Sequence, residues 1–381
     1  VTNAGRTIAP NLLDSKYRTD VTDWQNVMRE TGHKTEANFS FAGGSEKAVY
    51  SLFLGCRYTD GIIKGSSTNN NVHVRSKNEF RIAKWLKAGV NLSFNYSTYR
   101  SGWVKADAMY GALPYLSIYY PENTKGLGYS DSNTQNDGVG QDHPVIVAEE
   151  YEYNGVSLSF QPKVWTEIEI IKGLGERMQA GVSGSVGRKS EWNPDFIMVG
   201  GTQNFTSRLM KSHSYAYSPM VENYITYSKV IGKHDFSVMA GNSWQNYGEN
   251  GNLEAIGSPF SDYTVKKILV ADKSQVIQQN FSKWAYLSYF GRINYQFNNR
   301  YLVTANLRAD GSPKFAPSNR WGYFPSVAVA WKMHEESWIK NLGVFDQLKI
   351  RAGWGESGND SISDFMYLAK VWSINVFYPF G

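Results

Sequence analysis

The feature that most limits what this chain can fold into is a period of two in its hydrophobicity, sustained over unusually long runs. In VNLSFNYS (90–97), Val90, Leu92, Phe94 and Tyr96 share one face, and Asn91, Ser93, Asn95 and Ser97 share the other. GVSLSFQ sets Val156, Leu158 and Phe160 against Ser157, Ser159 and Gln161, and WTEIEI sets Thr166, Ile168 and Ile170 against Trp165, Glu167 and Glu169. The pattern predicts strands over 34–43, 46–58, 71–83, 87–100, 155–170, 176–190, 211–229, 234–248, 282–296, 300–312, 320–334, 346–358 and 366–376. Many exceed the roughly 9–11 residues that a tilted strand needs to cross a bilayer. Strands of soluble proteins usually stop at about 5–6.

The connections alternate in length. GGSEK (43–47), AKWLK (83–87), IIKGLGER (170–177), KVIGKHD (229–235) and YQFNNRY (295–301) are tight. Long external loops are expected near 1–33, 59–70, 101–154, 191–210 and 249–281. Short on one side and long on the other is the layout of an outer-membrane barrel. No stretch approaches 18 consecutive apolar residues, which rules out a spanning helix, but a closed barrel also satisfies every backbone group in lipid. Charged residues are 19% and mean hydropathy is −0.43, so the apolar surface has to be concentrated on one face. A net charge of +5, dispersed along the chain, gives no argument for nucleic acid. The single cysteine, Cys56, excludes an internal disulfide and a cysteine-based zinc site. The chain starts VTNAGRTIAP, without an initiator Met, and is read as a piece of a longer protein.

Aromatics make up 15% of the chain and cluster at strand ends: Trp85, Trp103, Trp165, Trp192, Trp284, Tyr295, Tyr301, Trp321, Tyr323, Trp331 and Trp338. Amphipathic rings favour the boundary between hydrocarbon and water. Trp321, Tyr323 and Phe324 are therefore expected in an outer girdle and Trp331 near the inner edge.

Catalytic and metal chemistry finds little support. His33, His73, His143, His213, His234 and His334 include no pair at metal-binding spacing. DSNTQNDG (131–138) fails the calcium-loop pattern, since Gln135 and Asn136 stand where Asp or Asn and then Gly are required. Glu149, Glu150 and Glu152 are too close in sequence to face each other across a cleft and read as loop or lumen-rim charges. The expectation is no enzyme, no cofactor and no metal. The loop 101–154 is the best candidate for substrate contact, because loops longer than about 12–15 residues are usually functional or disordered. Its Trp103, Tyr110, Tyr115, Tyr119 and Tyr120 offer ring faces for sugars and hydroxyls for sugars or peptides. Asn91, Ser93 and Asn95 should line a lumen.

TDWQNVMRETGHKTEANFSFAGGSEKAVYSLFLGCRYTDGIIKGS (22–66), KWLKAGVNLSFNYS (84–97), NRYLVTANLRADGSPKFAPSNRWGYFPSVAVAWKMHEESWIKN (299–341) and LKIRAGWGESGND (348–360) resemble the SusC/RagA family of TonB-dependent outer-membrane transporters. The resemblance implies an all-β, antiparallel transmembrane β-barrel of about 22 strands with a plugged lumen. Residues 1–381 would be part of that one barrel domain, about thirteen strands from the second to about the fourteenth, without the plug. It further implies TonB-energised import of an oligosaccharide or oligopeptide, TonB coupling through a segment outside this chain, a SusD-like surface lipoprotein as lid, outer-membrane lipid around the wall, and a Bacteroidetes source. A passive porin or surface adhesin barrel is the alternative reading, and a soluble carbohydrate-active enzyme is a more distant one.

Overall fold

The computed structural model describes residues 22–101, 106–112, 114, 117–119, 144–194, 196–197, 203–204, 207–261, 265–362 and 366–368. Helix α1 (Trp24–Met28) leads into β1 (Lys34–Gly44), β2 (Ala48–Thr59), β3 (Thr68–Ala83) and β4 (Leu86–Ser101). Short helices α2 (Ala106–Gly111) and α3 (Pro144–Glu150) precede β5 (Glu152–Phe160), β6 (Lys163–Ile171) and β7 (Leu174–Asn193). A small hairpin, β8 (Phe196–Ile197) and β9 (Gln203–Asn204), precedes β10 (Arg208–Ile231), β11 (His234–Gly257) and β12 (Ser274–Phe297). The run closes with β13 (Tyr301–Gly311), β14 (Trp321–Lys332), α4 (Ser337–Lys340) and β15 (Lys349–Gly355). All strands but β8 and β9 form one antiparallel sheet in the order β1-β2-β3-β4-β5-β7-β10-β11-β12-β13-β14-β15, with β6 beside β5 between β4 and β7. Among the described residues no helix is long and apolar enough to cross a membrane, so any crossing is made by strands.

The register turns the sequence alternation into two continuous surfaces. Phe39, Leu54, Val74, Phe94 and Phe160 lie in one cross-strand row, as do Val221, Trp244 and Leu287. On the opposite face Glu36, Arg57, Asn71, Ser97 and Ser157 form a polar row, and Asn91, Ser93 and Asn95 share that face. The Glu36 carboxylate accepts two bonds from the Arg57 guanidinium, each 3.2 Å, so charge is partnered there. In lipid only the apolar surface can face outward, because an unpaired polar group in hydrocarbon costs several kcal/mol. One polar intrusion into the apolar face satisfies itself locally: the Asn78 amide donates to Ser76 Oγ at 2.9 Å.

Three sequence expectations need correction. The expected strand 155–170 is two strands, β5 and β6, which pair with the same neighbours and are separated by Gln161 and Pro162. Pro162 has no amide hydrogen to give the ladder, and its carbonyl instead accepts from Val182 N at 3.1 Å. The loops 191–210 and 249–281 are shorter than expected, because β7, β10, β11 and β12 run on to Asn193, Arg208, Gly257 and Ser274. Of the expected strand 366–376, Met366–Leu368 is a turn and the rest lies outside the described residues.

The aromatic girdle is also narrower than the composition suggests. Trp321 and Tyr323 share the apolar face, where the Trp321 ring stacks on Tyr289 at 5.9 Å. Tyr301 and Trp331 stack at 6.3 Å at the other end of the same strands. Phe324 alternates onto the polar face and lines a cavity there with Arg308. Trp165 and Trp284 are likewise on the polar face, under Arg177 (4.0 Å to the ring centroid) and Lys314 (5.0 Å) respectively. Trp192 is buried in an external cluster with Leu209 and Phe260. Trp85 and Trp338 are exposed in inner turns, and Trp103 lies outside the described residues.

The inner turns are tight, with Gly173 (φ 85°) and Gly232 (φ 58°) supplying the left-handed positions. The connection 333–348 is longer, and Glu336 holds it down. Its carboxylate accepts from Tyr301 Oη (2.7 Å), Trp331 Nε1 (3.1 Å) and Arg300 (2.7 Å). The Tyr301 hydroxyl first, then Trp331 and Arg300, hold the Glu336 carboxyl below its ordinary value of 4.5. A depressed carboxyl stabilises the folded state above that ordinary value and loses its contribution as pH falls through the folded one. Limited proteolysis of 333–348 should therefore be slow near pH 7 and several-fold faster near about pH 3, and Glu336→Gln should flatten that dependence.

Candidate functional site at the external mouth

The long loops pack into a small cap on the side opposite the tight turns. Trp24 and Met28 from α1, Met109 from α2, and Val145, Ile146 and Ala148 from α3 form a buried cluster with Tyr151. Asp23 caps α1, accepting from Asn26 N at 3.0 Å. The β2–β3 loop threads between the helices: Lys64 N donates to Met28 O at 2.7 Å, and the Lys64 ammonium pairs with Glu149. The hydrogen bond to Glu149 is the main reason that Lys64 sits above its ordinary value. Gly65 passes α3 with φ 71°, and a Cβ there would lie 2.7 Å from the Ala148 Cα. Gly65→Ala should cost about 1–2 kcal/mol from the backbone alone, before the clash is added. Hydrogen exchange should then rise in 24–28 and 144–150 and stay unchanged in the strands.

Under the cap, the polar face of the wall carries a cavity of about 540 Å³ lined by Ser67, Asn69, Tyr99, Ser101, Tyr151, Tyr153 and Glu191, with Glu152 bordering it from the opposite parity of β5. Tyr99 and Tyr153 face each other with ring centroids 5.3 Å apart. Gly155 makes room for this arrangement, since a Cβ there would fall 2.0 Å from the Tyr99 ring. Lys189 lies 4.6 Å above the Tyr153 ring and pairs with Glu191 at 3.1 Å, and Lys266 pairs with Glu152 at 2.5 Å. The result is a pair of rings flanked by partnered carboxylates and an amide. Ring faces suit the apolar faces of sugars, and carboxylates and amides accept and donate bonds to their hydroxyls. No nucleophile activated by a neighbouring base is among these residues.

Of the loop aromatics expected at the site, Tyr110 is exposed on α2 and Tyr119 is exposed beside the cap. Neither lines the cavity. Trp103, Tyr115 and Tyr120 lie outside the described residues. Of the rings that do line it, Tyr99 and Tyr153 come from strand ends and Tyr151 from the cap, and Tyr151, Glu152 and Tyr153 belong to the EEYEY stretch expected at the rim. Glu149 from the same stretch serves the cap.

A curated relative, the TonB-dependent receptor SusC of Bacteroides thetaiotaomicron, is 29% identical over 406 residues, covering 99% of this chain and 39% of its own length. The TonB-dependent receptor P3 of Formosa agariphila is 27% identical over 369 residues, covering 93% of this chain and 36% of its own. The described fold superposes on the RagAB peptide importer in its open-open state with a TM-score of 0.75, at 21% identity, over 94% of this chain and 40% of that one. The chain is similar to a segment of the barrel of SusC- and RagA-type TonB-dependent transporters. It spans under two fifths of the length of the curated relatives it matches. No family model matches it. The more distant ferric citrate transporter FecA shares the fold at a TM-score of 0.50 and 9% identity. These relatives are outer-membrane barrels, so the apolar rows meet outer-membrane lipid; in the usual layout of such barrels the tight turns would be periplasmic and the cap extracellular.

Proposed function

We propose that this segment supplies about the second to the fourteenth strand of a barrel that imports a large nutrient across the outer membrane, powered by TonB through a segment outside these residues. Oligosaccharide is the cargo that the mouth cavity suits best. The observation that carries this reading is the pairing of Tyr99 with Tyr153 at 5.3 Å beside Glu191 on the polar face. Exposed Tyr110 and Tyr119, and Trp103, Tyr115 and Tyr120 of the same loop, would make the first contacts outside. A SusD-like surface lipoprotein would close over the cap and hold cargo against it. The chain performs no chemistry on its cargo: the cavity acids are in ion pairs, and the site offers binding alone.

Oligopeptide is the second reading, favoured by the resemblance to the RagAB peptide importer and by the charged residues Glu152, Glu191 and Lys189 near the cavity. Uptake of labelled oligosaccharides and oligopeptides by cells expressing the full-length protein separates the two. Accumulation that disappears on deletion of TonB supports energised import. Accumulation that persists without TonB would instead establish a passive pore.

A further inference from the structure

Above the apolar wall the register places a second set of side chains on the lipid-facing surface. On β4 the outward face runs Val90, Leu92, Phe94, Tyr96, then Thr98 and Arg100. On β7 it runs Val182, Gly184, Val186, then Arg188 and Ser190, and on β10 it runs Val221, Pro219, Tyr217, Tyr215, then His213 and Lys211. The pairing between these strands has no register shift over this stretch, so the parity holds. The tyrosines Tyr96, Tyr215 and Tyr217 thus mark the outer water–hydrocarbon boundary, and Arg100, Arg188, Lys211 and His213 lie one or two rows beyond it.

The four basic side chains are exposed and line one shallow cavity of about 730 Å³ together with Asn70, Thr98 and Asn154. None of the four makes a side-chain hydrogen bond or ion pair among the described residues. The two rows that contain them, from Asn70 through Thr98, Val156, Arg188 and His213, and from Thr68 through Arg100, Asn154, Ser190 and Lys211, hold no carboxylate. Asp60, at the β2 edge, is engaged by Thr68 Oγ1 (3.0 Å) and Gly61 N (3.1 Å). On the polar face Arg57, Arg177 and Lys189 are each paired with a carboxylate. Unpaired cations directly above an aromatic boundary, on the lipid side, need an anion at headgroup depth.

We propose that Arg100, Arg188, Lys211 and His213 form a binding site for the phosphate of a phosphorylated glycolipid in the outer leaflet, a headgroup of the lipid A kind. The apolar rows below would receive the acyl chains, and Asn70, Thr98 and Asn154 would bond the sugar. Guanidinium groups are suited to phosphate because their planar fork bonds two oxygens at once. The site lies on the opposite face from the mouth cavity, so it is independent of the cargo.

The test uses the full-length protein in nanodiscs, with phosphorylated lipid A or enzymatically dephosphorylated lipid A as the added lipid. The wild type should melt higher with the phosphorylated lipid, and the difference should vanish in the triple variant Arg100→Gln, Arg188→Gln, Lys211→Gln. In native mass spectrometry the variant should retain the phosphorylated lipid at least tenfold less often. A wild type that melts alike with both lipids overturns the proposal without recourse to any variant. Equal retention by the triple variant also overturns it. An equal rise in melting temperature from inorganic phosphate in detergent alone would assign the cavity to a soluble anion and overturn the lipid source.

Discussion

Leu92→Lys will destabilise the barrel by about 2–4 kcal/mol, the cost of a cation near the midplane of the lipid face, whereas Asn95→Lys will cost about 1 kcal/mol or less. The two positions are three residues apart on one strand and differ in face. Leu92 shares a cross-strand row with Ser76 of β3 and Leu52 of β2, about midway up the wall between the inner turn at Trp85 and Tyr96. A lysine there is too short of the interface to hydrate its ammonium without distorting the bilayer. Asn95 stands between His73 and Ser159 on the polar face, where water and other polar groups solvate a charge. Urea titration of the protein folded into lipid vesicles measures both variants, and the ratio of their effects is more informative than either alone.

Removing both rings of the mouth, Tyr99→Ala with Tyr153→Ala, will lower uptake of an oligosaccharide cargo about 10–100-fold at subsaturating concentration, because well-packed aromatic anchors carry about 2 kcal/mol or more of binding. The barrel itself should remain folded, since the two rings lie on the polar face above the wall and neither belongs to a buried core cluster. Gly155→Ala tests the same geometry from beneath. Its Cβ would displace the Tyr99 ring while leaving both tyrosines in place. If uptake falls in the double variant and not in Gly155→Ala, the rings bind cargo without needing their observed pairing.

The wall was legible in the sequence because a bilayer imposes a simple rule on it. Alternation in VNLSFNYS states which residues share a face, and the tight Gly and Asn turns state where each strand reverses. The same parity already separated Trp165, Glu167 and Glu169 from Thr166 and Ile168, so the polar-face position of Trp165 could be read directly. Counting aromatics near strand ends obscured it, as it did for Trp284 and Phe324. Pro162 carried a signal for the break between β5 and β6, since it brings no amide to the ladder, although Pro219 and Pro325 stay within β10 and β14. The mouth cavity was not legible. Asn69, Tyr99, Glu152, Tyr153 and Glu191 come from four strands, and only the register of β3 with β4, β4 with β5 and β5 with β7 brings them together. The basic site above the girdle was hidden for the same reason: Arg100, Arg188 and Lys211 are scattered singly in the chain and meet only across three strands.

The measurement that bears most directly on the account is a lipid-accessibility scan along β4. Cys56 is replaced by Ala, single cysteines are placed at each position from 90 to 97, and each is labelled with a fluorophore in the full-length protein reconstituted with nitroxide-labelled lipid. Quenching should be strong at 90, 92, 94 and 96 and weak at 91, 93, 95 and 97, with its maximum near Leu92. Quenching that is uniform along the segment, or strongest at the odd positions, would contradict the lipid-facing wall and with it the placement of both the mouth cavity and the basic site.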